Sequence, residues 1–176
     1  MMKMLTLRAP SWFFRFTAFF SVAAALLFSV PQASAALITT TAGSATTTIT
    51  TAVFHSDVLI SIEAVQSGYL SNIGAFTAHF SYTAVATPAT ITIVGSGTLV
   101  TANGNRLYLQ ASILELGLDY PRTLNGALTI TGGTGRFSGA TGTLLIKGLD
   151  EESLTDTIQI QGAIITPGSL LGGLLK

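Results

Sequence analysis

The stretch TGGTGRFSGATGTL, Thr131 to Leu144, constrains this chain more than any other. It sets five glycines, Gly132, Gly133, Gly135, Gly139 and Gly142, around a single aromatic, Phe137. Glycine lacks a Cβ and tolerates φ > 0, so the apolar run Leu124–Ile130 can reverse sharply at the first three of them. Phe137 follows as an apolar plug. Gly139 and Gly142 leave little bulk beside Ala140, as at a bulge or a close approach of backbones. Alternation then resumes with Leu144 and Ile146. The expected unit is strand, tight turn, strand.

The rest of the chain repeats that pattern. Thr46 to His55 is β-branched, with Ile49, Thr51 and Val53 on one face. Val58, Ile60, Ile62 and Ala64 alternate with Leu59, Ser61 and Glu63. Gly74 to Val85 is the clearest strand: Phe76, Ala78, Phe80 and Tyr82 point one way, Thr77, His79, Ser81 and Thr83 the other. Thr90 to Thr101 is another, with Gly95 and Gly97 expected at a bend or bulge. Asn103-Gly104 is a strong hairpin signal, because both central residues of a type I′ turn need φ > 0. Leu107, Leu109, Ala111 and Ile113 then share a face. Asp150-Glu151-Glu152 is expected as a solvated reversal, and Thr157 to Ile164 as the last strand before Pro167.

Seven or eight short strands joined by turns mean a sandwich or a barrel. Short links favour a single antiparallel up-and-down barrel of about eight strands, an all-β fold whose closure removes exposed edges. The N-terminus stands apart. Lys3, Arg8 and Arg15, the apolar run Phe16–Val30 and the small residues Ala33-Ser34-Ala35 have the order of a secretory signal peptide over residues 1–35. A flexible lead-in is expected over 36–45, the barrel over 46–166 and an apolar tail over 167–176. The product is expected to be secreted, periplasmic or extracellular, with no stable membrane insertion after cleavage.

All eight acids but only five of the eight bases lie beyond Ala35, so the exported part would carry a formal charge of −3. With no basic patch, nucleic acid is not an expected partner. There is no cysteine, so packing and strand ladders must hold the fold without disulfides.

The run ITGGTGRFSGATG, Ile130 to Gly142, resembles the glycine turn of the allene oxide cyclase and dirigent superfamily. It is still more similar to a group of uncharacterised bacterial exported proteins built on that barrel. SNIGAFTAHFSYT (Ser71–Thr83) and GSGTLVTANGN (Gly95–Asn105) match that group in the same order. The resemblance implies an eight-stranded antiparallel barrel, trimeric in many plant members, some of which cyclise or steer reactive small molecules in the lumen. It carries over no mechanism: the matching positions are turn and core residues, and Ala140-Thr141-Gly142 stands where dirigent proteins commonly have Ala-Arg-Gly.

Glu115 is the candidate catalytic residue. By alternation it extends the apolar face of Leu107–Ile113 into the barrel mouth or lumen, where a carboxylic acid would have a raised pKa and could serve as general acid or base. If the strand instead ends at Leu114, Glu115 faces water, and the sequence favours this second placement. Phe76, Phe80, Tyr82, Leu107, Leu109 and Ile113 are the candidate lining of a pocket for a small apolar ligand. A packed core accounts for them equally well. His55 and His79 make too thin a set for a metal, and no cofactor is expected. Gly132–Gly135 is not a phosphate loop, since no Gly-Lys-Ser/Thr follows and a strand rather than a helix comes next.

These residues suggest an exported barrel that binds a small apolar molecule, or a structural, self-associating unit, without catalysis. The alternative is a lumen-based cyclase or isomerase of the allene oxide cyclase or dirigent type, with Glu115 as its acid. The Thr-rich lead-in and the tail Leu170–Leu175 would also suit an adhesive or matrix role.

Overall fold

The computed structural model describes residues 36–117 and 119–168. The expected signal peptide and all of the expected tail beyond Gly168 lie outside them. Eight antiparallel strands, each paired with its sequence neighbours, close into one barrel. They are β1 (Ala36–Phe54), β2 (Leu59–Leu70), β3 (Gly74–Ala86), β4 (Thr90–Thr101), β5 (Arg106–Leu116), β6 (Arg122–Gly133), β7 (Thr141–Asp150) and β8 (Thr155–Pro167). The up-and-down order expected from the short links is the order found.

The period-two pattern decides which residues enter the lumen. In β3 the side chains of Phe76, Ala78, Phe80, Tyr82 and Ala84 are buried while the residues between them are exposed. In β5 the same holds for Leu107, Leu109, Ala111, Ile113 and Glu115. Each large apolar side chain moved from water into this lumen contributes roughly 1.5–3 kcal/mol, so a one-residue slip in any strand would forfeit several such terms at once.

Residues 36–45 are not a loose lead-in. They form the first half of β1 and pair with β8 from Ala36 opposite Pro167 to Ala45 opposite Ile158, and the ladder runs on to Thr48 opposite Thr155. β8 would otherwise be an open edge, and closing the barrel satisfies both strands' hydrogen-bonding groups. The second half of β1 departs from simple alternation too. A bulge at Thr50 breaks the register against β2, and the Thr50 hydroxyl donates to the Glu63 carbonyl at 3.0 Å. Beyond it Val53 and Phe54 are exposed rather than inward.

Gly95 and Gly97 mark no bulge, since β4 keeps an unbroken register against both neighbours. They make room for rings. Gly97 lies opposite Phe80 and Gly95 opposite Tyr82. A Cβ at Gly97 would stand 2.3 Å from Phe80 Cδ1, and one at Gly95 2.7 Å from Tyr82 Cδ1. The two rings stack with centroids 5.1 Å apart and planes 4° from parallel.

The glycine stretch closes one end of the lumen. β6 runs through Gly132 and Gly133, with Thr131 as the extra residue of a bulge against β5, so the reversal comes later than expected. It is a 3-10 turn, Gly135–Phe137. Gly135 has φ +58, and a Cβ there would overlap Asn105 Oδ1. The turn drives Phe137 inward, where it is buried with Leu70, Ile73 and Ala140. Arg136 lies over the Phe137 ring at 4.6 Å and donates from Nη2 to the Ile73 carbonyl at 3.0 Å. That cross-link ties the β6–β7 connection to the β2–β3 connection across the end of the barrel.

Candidate functional site

The opposite end is open. Here β1 meets β2, β3 meets β4, β5 meets β6 and β7 meets β8, and a cavity of about 80 Å³ enters the lumen. Its walls are apolar, with Ile49, Ile62, Ile93, Ile113, Leu124, Ile146 and Ile158 contributed by seven different strands. A single water needs only about 10–15 Å³ of such space, so the cavity has room for several waters or a ring-sized group. Small lumens of this kind either fill with side chains or hold one ligand. This one does both: the turn end is filled and the mouth end is not.

Polar groups converge at two depths. The deeper pair is Gln66 and Tyr82, 3 % and 7 % exposed. Gln66 Nε2 donates to Tyr82 Oη over a long 3.5 Å. Burial raises the Tyr82 pKa, so the phenol stays protonated. At the mouth stand Glu115, Asp150 and Asp156 with Arg122. Glu115 is 7 % exposed. The strand does not end at Leu114; it carries Glu115 one step further along the apolar face, opposite Leu124 of β6.

Arg122 opens β6 beside these acids. Its Nη1 is 3.8 Å from Glu115 and 3.9 Å from Asp150, its Nε is buried without a hydrogen-bond partner, and its guanidinium lies 4.2 Å above the Tyr120 ring. These distances are ion pairs without close hydrogen bonds, so a single cation serves Glu115 and Asp150 imperfectly. Burial therefore prevails. It pushes the Glu115 carboxyl up to about 7, helped by the nearby Asp150 and Asp156 and opposed by Arg122. Asp156 is pushed up to about 6, again by burial first and Asp150 second, against a stabilising backbone hydrogen bond at Glu151. Near neutral pH Glu115 can thus hold or release a proton beside an apolar cavity.

Of the six residues expected to line a pocket, Tyr82 and Ile113 reach the cavity. Phe76, Phe80, Leu107 and Leu109 are buried in the filled half instead, as core. The reason is height along the barrel: Phe76 and Leu107 lie beside the end that Phe137 plugs, and Phe80 and Leu109 follow in register through Gly97. Four residues of the site had no place in the sequence-based expectation. Gln66 continues the inward face of Ile62 and Ala64, so alternation alone points to it. Asp150, expected as part of a solvated reversal, is the last residue of β7 on the inward register of Ile146. Asp156 and Arg122 sit at strand ends, where facing depends on how far the neighbouring strand extends.

No family model matches this sequence, and no curated protein matches it. Among solved structures, the pterocarpan synthase dirigent protein GePTS1 superposes with a TM-score of 0.50 at 14 % identity, over 77 % of this chain and 88 % of that one. The chain folds as a dirigent-like barrel. A second pterocarpan synthase dirigent protein, PsPTS1, aligns with a TM-score of 0.45 at 12 % identity, over 78 % of this chain and 99 % of its own. At such identities the likeness is one of fold. What a dirigent-like barrel offers chemically here is set by its own mouth: an apolar cavity, a buried amide–phenol pair and a carboxylic acid poised near neutrality.

Proposed function

We propose that this dirigent-like barrel is a receptor for one compact, largely apolar small molecule, held in the mouth-side half of the lumen without being transformed. One observation carries the proposal: the lumen is plugged at the turn end by Phe137 yet open at the other, with isoleucine walls and only a few convergent polar groups. That is the composition of a ligand pocket rather than of a packed core. Cleaved after Ala35, the receptor works outside the cytoplasm, and N-terminal sequencing of the protein recovered from its host tests this. Binding is tested by native mass spectrometry of that material, followed by ligand-observed NMR with ring-sized fragments such as benzyl alcohol. A retained molecule or a bound fragment that is lost in Ala64→Phe, which fills the cavity, supports the receptor. A ligand-free protein that binds no fragment overturns it.

A second function is favoured by the Glu115 carboxyl, protonated to a large extent near pH 7. A lumen acid of this kind can donate a proton to an oxygen of a bound substrate and so assist a cyclisation or isomerisation. Turnover of the retained molecule that is abolished in Glu115→Gln, with binding kept, would replace the receptor by the enzyme.

A further inference from the structure

Charge is distributed very unevenly along the barrel axis. Of the chain's eight carboxylates, all but Glu63 lie at the mouth: Glu115, Asp150 and Asp156 on strand ends, and Asp57, Asp119, Glu151 and Glu152 in the connections there. Among the described residues, Arg122 is the only arginine or lysine at that end. Arg106 and Arg136 stand at the plugged end, and Lys147 is outward-facing on β7. A cleft ringed by one sign of charge with low-dielectric walls concentrates ions of the opposite sign.

A rim of carboxylates alone would be a solvated surface. Two buried features make this one a site. Gln66 is nearly fully buried on the cavity wall, and its single hydrogen bond, the long one to Tyr82, leaves the amide oxygen without a donor and the phenol proton without an acceptor. Both groups paid desolvation to be there and are left half-satisfied. At the mouth, Asp156 Oδ1 is buried with no hydrogen-bond partner. The unmet needs at the mouth are therefore a donor for Asp156 Oδ1 and an acceptor for Arg122 Nε, with polar partners for Gln66 and Tyr82 deeper in, across isoleucine walls. Among the described residues no group of three or more His, Asp or Glu side chains is placed to hold a metal ion, and the apolar walls suit a donor carried on an organic body.

We infer that the cavity takes a small organic cation, a compact apolar body carrying an ammonium group that seats among Glu115, Asp150 and Asp156. This rests on the receptor function proposed above and specifies its ligand. An ammonium supplies three donors where Arg122 reaches Glu115 and Asp150 only at 3.8–3.9 Å and forms no ion pair with Asp156. Its arrival also favours the ionised forms of Glu115 and Asp156, so binding near pH 6.5 releases protons.

The test uses three probes of one size on the wild-type mature protein: benzylamine, benzyl alcohol and benzoate, titrated by calorimetry at pH 7.5 and low salt. Benzylamine should bind about tenfold tighter than benzyl alcohol, the equivalent of one favourable charge contact in a partly solvated mouth, and benzoate weakest of all. The preference for the amine should shrink in 0.5 M salt and in Asp156→Asn. At pH 6.5 the heat of amine binding should change with the ionisation enthalpy of the buffer, as proton release requires. Equal affinities for amine and alcohol would overturn the cation while leaving the receptor standing. Failure of all three probes, with nothing retained in native mass spectrometry, would overturn both.

Discussion

Arg122 Nη1 lies 3.8 Å from Glu115 Oε2, close enough to attract it and too far to hydrogen-bond it. The consequence is a carboxyl whose pKa is raised by burial despite an arginine beside it. An acid with a higher pKa folded than unfolded favours folding when protonated. Its ionisation in the folded state becomes a cost that builds as pH rises from the unfolded value near 4.5 to about 7, then stays constant. Asp156 adds a cost of the same sign between about 3.8 and 6. Stability should therefore fall between pH 4.5 and 7.5, by on the order of 1–3 kcal/mol after allowing for solvent screening at the open mouth. Thermal melts across that range check it. In Glu115→Gln the decline should shrink and the melting temperature at pH 7.5 should rise; a melt that instead improves with pH in the wild type would refute the assignment.

Gln66→Met should stabilise the barrel and impair binding. The amide is buried with one long hydrogen bond, and an apolar side chain of similar volume removes a half-satisfied polar group. A gain of about 1 kcal/mol in denaturant unfolding is expected, together with weaker retention of the bound molecule. Tyr82→Phe keeps the ring stacked on Phe80 and should change stability by less than about 1 kcal/mol, so a larger loss would mean that the phenol has a structural partner.

Gly97→Ala should be disproportionately harmful for a single methyl group. The new Cβ would meet Phe80 Cδ1 at 2.3 Å, Phe80 Cε1 at 2.5 Å and the His79 carbonyl at 2.7 Å. Overpacking of this kind costs about 1–3 kcal/mol. The double variant with Phe80→Leu should recover part of the loss, because the two sites share the same space. Strict additivity in chemical denaturation would show that the backbone contact, not the ring, is the obstacle.

Phe137→Ala should cost about 3–5 kcal/mol, as expected for a large ring removed from a filled core. It should also open the lumen at both ends, which faster exchange of the Leu70 and Ile73 amides with deuterium would report. Arg136→Ala, which loses the hydrogen bond to Ile73 and the contact over the ring, should cost about 1 kcal/mol. If Arg136→Ala proves as damaging as Phe137→Ala, the cross-link rather than the plug closes that end.

The barrel was legible because alternation is a local property. Phe76 to Ala84 and Leu107 to Ile113 each declare their inward face without reference to any other strand, and short polar links between such runs leave few topologies to choose from. Inside–outside alternation also offered Glu115 a place in the lumen, but the sequence favoured a strand that stops at Leu114, because a strand's end depends on how far its partner runs. Here β6 begins at Arg122 and pairs Leu124 with Glu115, which keeps the strand going. β1 was underestimated for a related reason. Thr39 to Ser44 has no strong pattern of its own and becomes strand because β8 presents an edge to it.

By itself, then, the sequence determined most of the strands, the facing of β3 and β5, the presence of a glycine-rich reversal between Ile130 and Leu144 and the absence of any cysteine to cross-link them, all of which follow from side-chain period and backbone freedom within short segments. Only the tertiary structure decided which half of the lumen is filled and which is empty. Phe76, Phe80, Leu107 and Leu109 share one alternating pattern with Tyr82 and Ile113, and what separates core from cavity wall is the height of each residue relative to Phe137. Only closure of the barrel brings Arg122, Asp150 and Asp156, from three different strands, to one mouth with Glu115, above Gln66 on a fourth. Their desolvation and mutual repulsion exist at those distances alone, and no spacing along the chain encodes them.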